Sequence, residues 1–423
     1  MTPNERGYNI LPSKDALFIL LCVIINLHQL KSVISLTEPK FLLLFPSAAI
    51  LVAIIYLLFD IIARNQEQIR EKDAFKRKMC MLGILILLVG ILPGAVRIGL
   101  RLQSQPHKFC HDGVVQTEEA MKMILRGKNP YTEDYFQTPM KHWADKWPES
   151  TTLTHYVYLP FIFIFPLPFY LTCKVLLRWF DLRLIYLAVY LLTIFLLLKF
   201  PRDYSDKMCL VTLFALNPNF LHYLSWGVND ILLIGLLILT IYALKIKNFL
   251  LSALSFGLAL VTKQFAWLLI PFYLLYLYRF KEKNKTSLMK KVLVILLVVL
   301  IFVAPFLAWD YASFKDDVID FPSGRAKISW PMGGWGIGGT LVALKFVKPT
   351  DYFPFWIFYV LLVFPLMIFL LWRQYRYNTL SMVLTGYLIT LFIFQYFSRY
   401  FHGNYLDYPY TFLLLIIFGD LKK

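Results

Sequence analysis

The sequence predicts an all-α polytopic membrane protein with about 12 transmembrane helices and further helices at the outer membrane surface. Three observations predict this class. Of the 423 residues, 59% are apolar and only 16% are charged, whereas soluble domains carry roughly 25% charged residues. Apolar runs long enough to cross a bilayer core of ~30 Å recur along the chain. Lys and Arg concentrate in the short connectors between these runs, which is the positive-inside pattern.

The apolar runs, taken in order between the basic connectors, give the predicted spans, and each is expected to form one helix. They are 15–36, 41–63, 79–100, 184–199, 208–225, 230–244, 248–262, 265–278, 291–309, 353–372, 379–397 and 408–419. With this count, the basic connectors at 64–78 and 279–291 and both chain termini lie on the cytoplasmic side.

The apolar segment from His155 to Cys173 does not fit the count, because a span there would place the two basic connectors on opposite sides of the membrane. It also contains Pro160, Pro166 and Pro168, which break a straight helix. We expect a juxtamembrane or re-entrant helix that lines a cavity on the outer side. A kinked true span, with a neighbouring span missed elsewhere, is the alternative.

This topology places two long polar segments, 101–153 and 310–352, on the outer side. The cytoplasmic connectors are short and carry little but Lys and Arg, so we expect any chemistry to be extracytoplasmic. Residues 1–78 are expected to add two N-terminal helices and a basic connector to a main membrane domain formed by 79–423.

The net charge of +17 does not indicate nucleic-acid binding, because the basic residues lie between apolar runs. The sequence contains neither zinc-ligand spacing nor a long basic tract with interleaved aromatic residues. The expected partner is therefore the lipid bilayer, with no nucleic acid.

A short helix is predicted in the first outer segment, just after Asp112. Met121, Ile124 and Leu125 recur at helical spacing, and Gly127 is a typical stop. Asp112 before this helix could simply complement the helix dipole. Glu118 and Glu119, which follow, are expected on its solvated face.

Five motifs share an order along the chain and a position on the outer side. Asp112 is followed by Gly127-Lys-Asn-Pro-Tyr131, and the later motifs are Tyr156-Val-Tyr158-Leu-Pro160, Trp226-Gly-Val-Asn229-Asp230, Leu258-Ala-Leu-Val-Thr-Lys263 and His402-Gly-Asn-Tyr405-Leu. Over roughly 79–412 this order resembles the C-type (GT-C) integral membrane glycosyltransferases. The resemblance is greatest to the polyprenyl-phosphate-mannose users of family 87 and the PIG-M kind, although Val228 stands where that family usually has Gln.

The resemblance implies a GT-C-like fold and an inverting transfer of a hexose, mannose favoured, from a polyprenyl-phosphate donor to a hydroxyl of a glycolipid or glycan acceptor. It implies that Asp112 is the general base. The chemistry agrees, because a lipid phosphate leaves without help from a strong acid and the acceptor hydroxyl needs only a base on the far side of the sugar.

The other candidate residues are proposed to bind the donor phosphate or sugar. Lys263 could stabilise the departing phosphate, although a Lys that snorkels to the interface is the alternative. His402 and Tyr405 belong to the late motif, where an interfacial His can also be structural. Arg325 lies in the second outer segment, in a loop of the kind that closes over a substrate.

Two pairs of candidates have equally good structural explanations. Asn229 and Asp230 could bind the donor or cap the helix that follows. Tyr156 and Tyr158 could stack on sugar rings or anchor the chain at the membrane interface. The sequence contains no Asp-x-Asp motif, so no metal or other cofactor is required by it.

A polytopic transporter or lipid flippase is the alternative function. It would be expected to pair charged residues near the middle of the membrane and to contain internal repeats. Neither feature is evident in the sequence, which favours the glycosyltransferase.

The topology makes a prediction at the sequon Asn284-Lys285-Thr286, which lies in a basic connector. In a host with luminal N-glycosylation, Asn284 should stay unmodified because it faces the cytoplasm, whereas a sequon engineered near Glu133 should be glycosylated. Gel mobility with and without glycosidase measures both. The opposite pattern would place Asp112 on the wrong side of the membrane for this chemistry.

Overall fold

The computed structural model describes residues 11–34, 44–66, 70–146, 151–280 and 285–421. These residues are mostly helical, and their strands are two segments of two residues each, as the all-α prediction requires. Asn284 of the sequon and both chain termini lie outside the described residues.

Fourteen α-helices precede residue 281 in the described part of the chain. They are α1 (Lys14–Ile34), α2 (Leu44–Asn65), α3 (Glu71–Leu85), α4 (Leu92–Leu102), α5 (Asp112–Leu125), α6 (Thr151–Thr154), α7 (Phe161–Ile164), α8 (Leu167–Leu176), α9 (Arg183–Leu197), α10 (Tyr204–Ala215), α11 (Pro218–Trp226), α12 (Asp230–Lys245), α13 (Phe249–Leu260) and α14 (Ile270–Arg279). A π-helical turn at Ile86–Ile91 joins α3 to α4, and 3-10 turns lie at Pro139–Lys146 and Gln264–Leu269.

The remaining described residues continue the bundle. Their helices are α15 (Lys285–Trp309), α16 (Tyr311–Lys315), α17 (Phe321–Ser323), α18 (Ile337–Ala343), α19 (Trp356–Phe358), α20 (Phe364–Arg376), α21 (Leu380–Tyr396) and α22 (Asp407–Phe418). The strands are β1 (Gly333–Gly334) and β2 (Tyr400–Phe401), π-helical turns lie at Asp316–Asp320 and Tyr359–Val363, and a 3-10 turn lies at Gly403–Leu406.

Four helices in the described ranges are long and apolar enough to cross a membrane. They are Leu44–Asn65, Glu71–Leu102, Leu288–Trp309 and Trp356–Arg376. Other predicted spans coincide with shorter apolar helices, among them Arg183–Leu197, Phe249–Leu260 and Leu380–Tyr396. The membrane prediction is supported by these helices, whereas the count of about 12 spans stays a prediction.

The proline-containing segment that did not fit the span count is broken in the structure. Helix α7 ends at Ile164, and α8 starts at Leu167, directly after Pro166. Pro168 occupies the first turn of α8, where its missing N–H leaves no hydrogen bond unmade. Because the two pieces together extend only from Phe161 to Leu176, they are shorter than the ~20 residues that a straight span requires.

The two N-terminal helices are joined to α3 by a buried charge cluster. Lys78 Nζ lies 2.9 Å from Asp15 Oδ2 and 2.5 Å from Asp60 Oδ1, and Tyr56 donates a hydrogen bond to Asp15. Asp15, Asp60 and Lys78 lie at the start of α1, the end of α2 and the first half of α3. All three are therefore near the end of the bundle that is predicted to be cytoplasmic, away from the outer segments.

The second outer segment is held against the turn that follows α21. Strand β1 pairs in parallel with β2, with Gly333 opposite Tyr400. Gly334 has a φ of +83°, and a Cβ there would lie 2.1 Å from the Phe401 carbonyl oxygen, so the close approach requires glycine. Arg399 donates to the carbonyls of Trp330 and Asp351. These contacts fix the turn that carries His402.

Candidate active site

Helix α5 begins at Asp112, one residue earlier than the sequence predicts, and its start is fixed by the turn after α11. The His111 N–H donates to the Trp226 carbonyl at 2.8 Å. Gly227, which follows Trp226, has a φ of +92°, and a Cβ there would lie 2.4 Å from the Val114 side chain. The first outer segment and the Trp226–Asp230 turn therefore pack so closely that position 227 has no space for a residue larger than glycine.

Asp112 is held by its two neighbours in the chain. His111 Nδ1 lies 2.6 Å from Asp112 Oδ1, and the Gly113 N–H donates to the same oxygen at 2.7 Å. Burial raises the pKa of Asp112, but the charge and hydrogen bond of His111 and the Gly113 N–H lower it more, so the pKa lies below its ordinary value. Asp112 is therefore ionised at neutral pH, and 17% of its side chain is exposed.

The pKa of His111 shifts in the opposite direction. Burial lowers the pKa of its imidazole, but the charge and hydrogen bond of Asp112 more than offset this, and the pKa is raised. When His111 is protonated, it forms an ion pair with ionised Asp112 that stabilises both charges.

Asp230 accepts hydrogen bonds from three side chains that come from different parts of the chain. Lys263 and the Tyr408 hydroxyl donate to Oδ1, the latter at 2.5 Å, and the Asn404 amide donates to Oδ2. The exposed fraction is 3% for Asp230 and 7% for Lys263. Because the two opposite charges are buried as a pair, neither is left uncompensated.

Asp112 and Asp230 belong to one site. The charges of Asp230 and Lys263 act on His111, whose Nδ1 lies 2.6 Å from Asp112 Oδ1. Lys263 Nζ lies 5.5 Å from the centre of the Tyr158 ring. A Cβ on Gly113 would lie 3.1 Å from the Tyr158 hydroxyl, which places that hydroxyl beside the start of α5.

His402 and Tyr405 lie on the same side as Asp230. His402 Nδ1 contacts Asn404 Oδ1, and the His402 ring lies 6.4 Å from the Tyr405 ring. Burial lowers the pKa of His402, although its hydrogen bond to Asn404 opposes the shift. His402 is therefore neutral at pH 7, when it can donate or accept a hydrogen bond.

Three predicted site residues are placed differently. Tyr156 is fully buried, with its hydroxyl 3.2 Å from the Thr117 hydroxyl, so it packs behind Tyr158. Arg325 is half exposed and lies 3.3 Å from Asp320. Asn229 does not cap α12 through its side chain, because its buried Oδ1 has no hydrogen-bond partner among the described residues.

The sequence did not single out His111, Asn404 and Tyr408 as site residues. His111 could have been noticed as a His directly before the candidate base. Asn404 and Tyr408 are separated by four residues, a spacing that places both side chains on one helix face. Their contact with Asp230 joins residues more than 170 positions apart, and no local pattern reports it.

One group of side chains in the described ranges could hold a metal ion. His155, Asp316 and Asp317 offer ligand atoms that lie within 4.8 Å of one another. Asp317 also accepts the Tyr156 N–H at 2.7 Å, and burial raises the pKa of its carboxyl to about 8. That no metal is required stays a prediction from the sequence.

Residues 120–279 match the family model of the alpha-(1->6)-mannopyranosyltransferase N-terminal domain. No curated protein sequence matches the chain. The matched range contains Tyr158, Asp230 and Lys263, whereas Asp112 and His402 lie outside it. The resemblance to a mannosyltransferase family, inferred from the motifs, is confirmed by this match.

The Lys263–Asp230 pair makes a prediction about stability. Lys263→Met should lower the free energy of unfolding by about 3–5 kcal/mol, because it leaves the buried Asp230 carboxylate without a cation. Combining Lys263→Met with Asp230→Asn should recover most of this loss, since the charge is then removed as well. Unfolding midpoints in micelles measure both variants. A double variant that is no more stable than Lys263→Met alone would show that the pair does not interact as described.

Proposed function

Starting from the mannosyltransferase family match of residues 120–279, we propose that the protein transfers a mannosyl group from a polyprenyl-phosphate donor to an acceptor hydroxyl on the extracytoplasmic face. The acceptor is a glycolipid or glycan, and the reaction inverts the anomeric centre. One observation carries the proposal: an ionised, partly exposed carboxylate at Asp112 faces a site with a buried lysine, a neutral histidine and tyrosines.

Asp112 is the proposed general base. His111 and the Gly113 N–H both contact Oδ1, so Oδ2 is the oxygen that takes the proton of the acceptor hydroxyl. As that proton moves to Oδ2, the acceptor oxygen forms a bond to the anomeric carbon. The bond from the anomeric carbon to the phosphate oxygen breaks, and the polyprenyl phosphate leaves with the electron pair.

The low pKa of Asp112 suits this step in one respect and limits it in another. It keeps the carboxylate ionised at neutral pH, so every molecule holds the base in its active form. It also makes the carboxylate a weak base, which favours proton transfer late in the displacement, when the acceptor hydroxyl has become acidic. His111 acts here as a positioning residue.

Lys263 is proposed to face the donor phosphate. Its partner Asp230 is shared with Asn404 and Tyr408, so Asp230 remains hydrogen-bonded if Lys263 turns toward a phosphate. Preorganised cations and donors near a departing phosphate stabilise the charge that develops on it. Tyr158 and Tyr405 would form the walls against the sugar rings, since aromatic faces pack well on them.

The donor specificity is tested with purified protein and a panel of labelled polyprenyl-phosphate sugars. We expect loss of label from the mannosyl lipid in the presence of an acceptor extract, and little loss from the lipids of other sugars. Uncharged polyprenyl mannosides, which cannot release a phosphate, serve as the control. Transport of an intact mannosyl lipid across vesicles without loss of label would instead support a flippase.

Asp112→Asn tests the base. The amide keeps the size of the side chain and can still accept a hydrogen bond, so the start of α5 should lose no more than ~1 kcal/mol. It cannot take a proton, so the rate of mannosyl transfer should fall by ~10² to 10⁴-fold. Donor binding should persist.

Asp134→Asn is the matched control, because Asp134 is an exposed aspartate of the same outer segment whose carboxylate accepts the Phe136 N–H. Its rate should equal that of the wild type. Near wild-type transfer by the Asp112→Asn variant would make Asp112 a structural residue.

A further inference from the structure

A buried cluster of charged residues lies behind the start of α5. Arg101 donates to Glu118 at 2.7 Å and to Asp181 at 2.9 Å. Arg183 makes a two-pronged contact with Asp181, at 2.8 Å through Nε and 2.7 Å through Nη2. The expectation that Glu118 and Glu119 lie on a solvated face is therefore wrong, because both residues are buried. Glu118 contacts Arg101 and accepts the Leu182 N–H, and Glu119 pairs with Lys122.

Arg97 is the third arginine of this region, and no ion pair joins it to a carboxylate among the described residues. Its guanidinium lies 4.0 Å from the centre of the Trp226 ring, and only 3% of the residue is exposed. Nε and Nη1 are both buried and have no hydrogen-bond partner among the described residues. Arg101 and Arg183 already use Glu118 and Asp181, so the positive charge of Arg97 is uncompensated.

An uncompensated buried cation is unfavourable in a protein and more so in a membrane, where such residues usually serve a function. Stacking on Trp226 recovers part of the lost solvation. Stacking does not provide a hydrogen-bond acceptor for the guanidinium N–H groups. The geometry of these N–H groups allows them to bind two oxygens of a phosphate or carboxylate at once. A buried guanidinium without a carboxylate is the arrangement expected of a site where a bound ligand supplies the anion.

The position of Arg97 relates it to the candidate active site. Trp226, on which the guanidinium stacks, accepts the His111 N–H through its carbonyl. His222 lies within electrostatic range of both Arg97 and His402. The Trp226–Asp230 turn thus has Arg97 at its first residue and Lys263 at its last. Of these two cations, Lys263 is paired and Arg97 is not.

We propose that Arg97 binds a phosphate group of a substrate lipid at this site. The inference rests on the proposed function, because the lipid is either the polyprenyl-phosphate donor or an acceptor with a phosphorylated headgroup. Both sources present the same chemistry, a phosphate ester next to an apolar chain. Arg97 is a binding residue here, and it takes no part in moving the proton.

The test measures binding, without transfer, in phosphate-free detergent micelles. The ligands are sugar-free polyprenyl phosphate, phosphatidylinositol as a lipid with a phosphorylated headgroup, and uncharged polyprenol. The proteins are full-length wild type, Arg97→Met, Arg97→Lys and Arg126→Met. Arg126→Met is the matched control, because it removes a positive charge from an exposed position at the end of α5. Dissociation constants and melting temperatures are recorded for each pair.

We expect Arg97→Met to bind at least one phosphate lipid about 10- to 100-fold more weakly than the wild type, the scale of charge-assisted hydrogen bonds. Arg97→Lys should lie between them, because lysine keeps the charge but not the paired donors. The lipid that binds more weakly to Arg97→Met than to the wild type identifies the source of the phosphate. Polyprenol binding should not change, and Arg126→Met should behave as the wild type.

Without ligand, Arg97→Met should melt at the wild-type temperature or above it, since it removes an uncompensated buried charge. The proposal is overturned if wild type and Arg97→Met bind both phosphate lipids equally well. If Arg97→Met does not fold, equal binding by wild type and Arg97→Lys overturns it. So does a wild type that prefers neither phosphate lipid to polyprenol. Arg97-dependent binding without any mannosyl transfer would contradict the proposed function and leave this inference standing.

Discussion

The arrangement of the candidate active site depends on the carboxylate of Asp230. It is the only acid that Lys263, Asn404 and Tyr408 contact among the described residues. Lys263 lies in the turn after α13, Asn404 in the turn before α22 and Tyr408 in the first turn of α22. A buried carboxylate is costly unless it is paired and hydrogen-bonded, so these donors stabilise Asp230 in its position. The same contacts therefore hold the helix ends together and place His402 and Tyr158 around Asp112.

The distribution of charge follows from this constraint. Lys263 can be buried because Asp230 compensates it, and Arg101 and Arg183 can be buried because Glu118 and Asp181 compensate them. Arg97 is the exception in this part of the structure, and the pairing of its neighbours makes its unmet charge informative. A site that receives an anionic donor gains from one cation that no carboxylate already occupies.

Much of the fold and part of the site could be predicted from the sequence. The start of α5 at Asp112 and its end before Gly127, which has a φ of +70°, follow from local patterns. The short turns at Asp230, Lys263 and His402 were also predicted, whereas their outer location stays a prediction. Their mutual contacts, the burial of Glu118 and the exposed position of Arg325 were not, because they depend on tertiary partners that helical periodicity does not reveal.

We propose that the donor binds between Asp112 and the two cations that flank the Trp226–Asp230 turn, Arg97 and Lys263. Electron cryomicroscopy of the Asp112→Asn variant with bound polyprenyl-phosphate mannose tests it most directly, because this variant should bind the donor without consuming it. We expect the phosphate beside Lys263 or Arg97 and the anomeric carbon between the phosphate and residue 112. A mannosyl lipid bound elsewhere in the bundle, with residue 112 remote from the sugar, would contradict it.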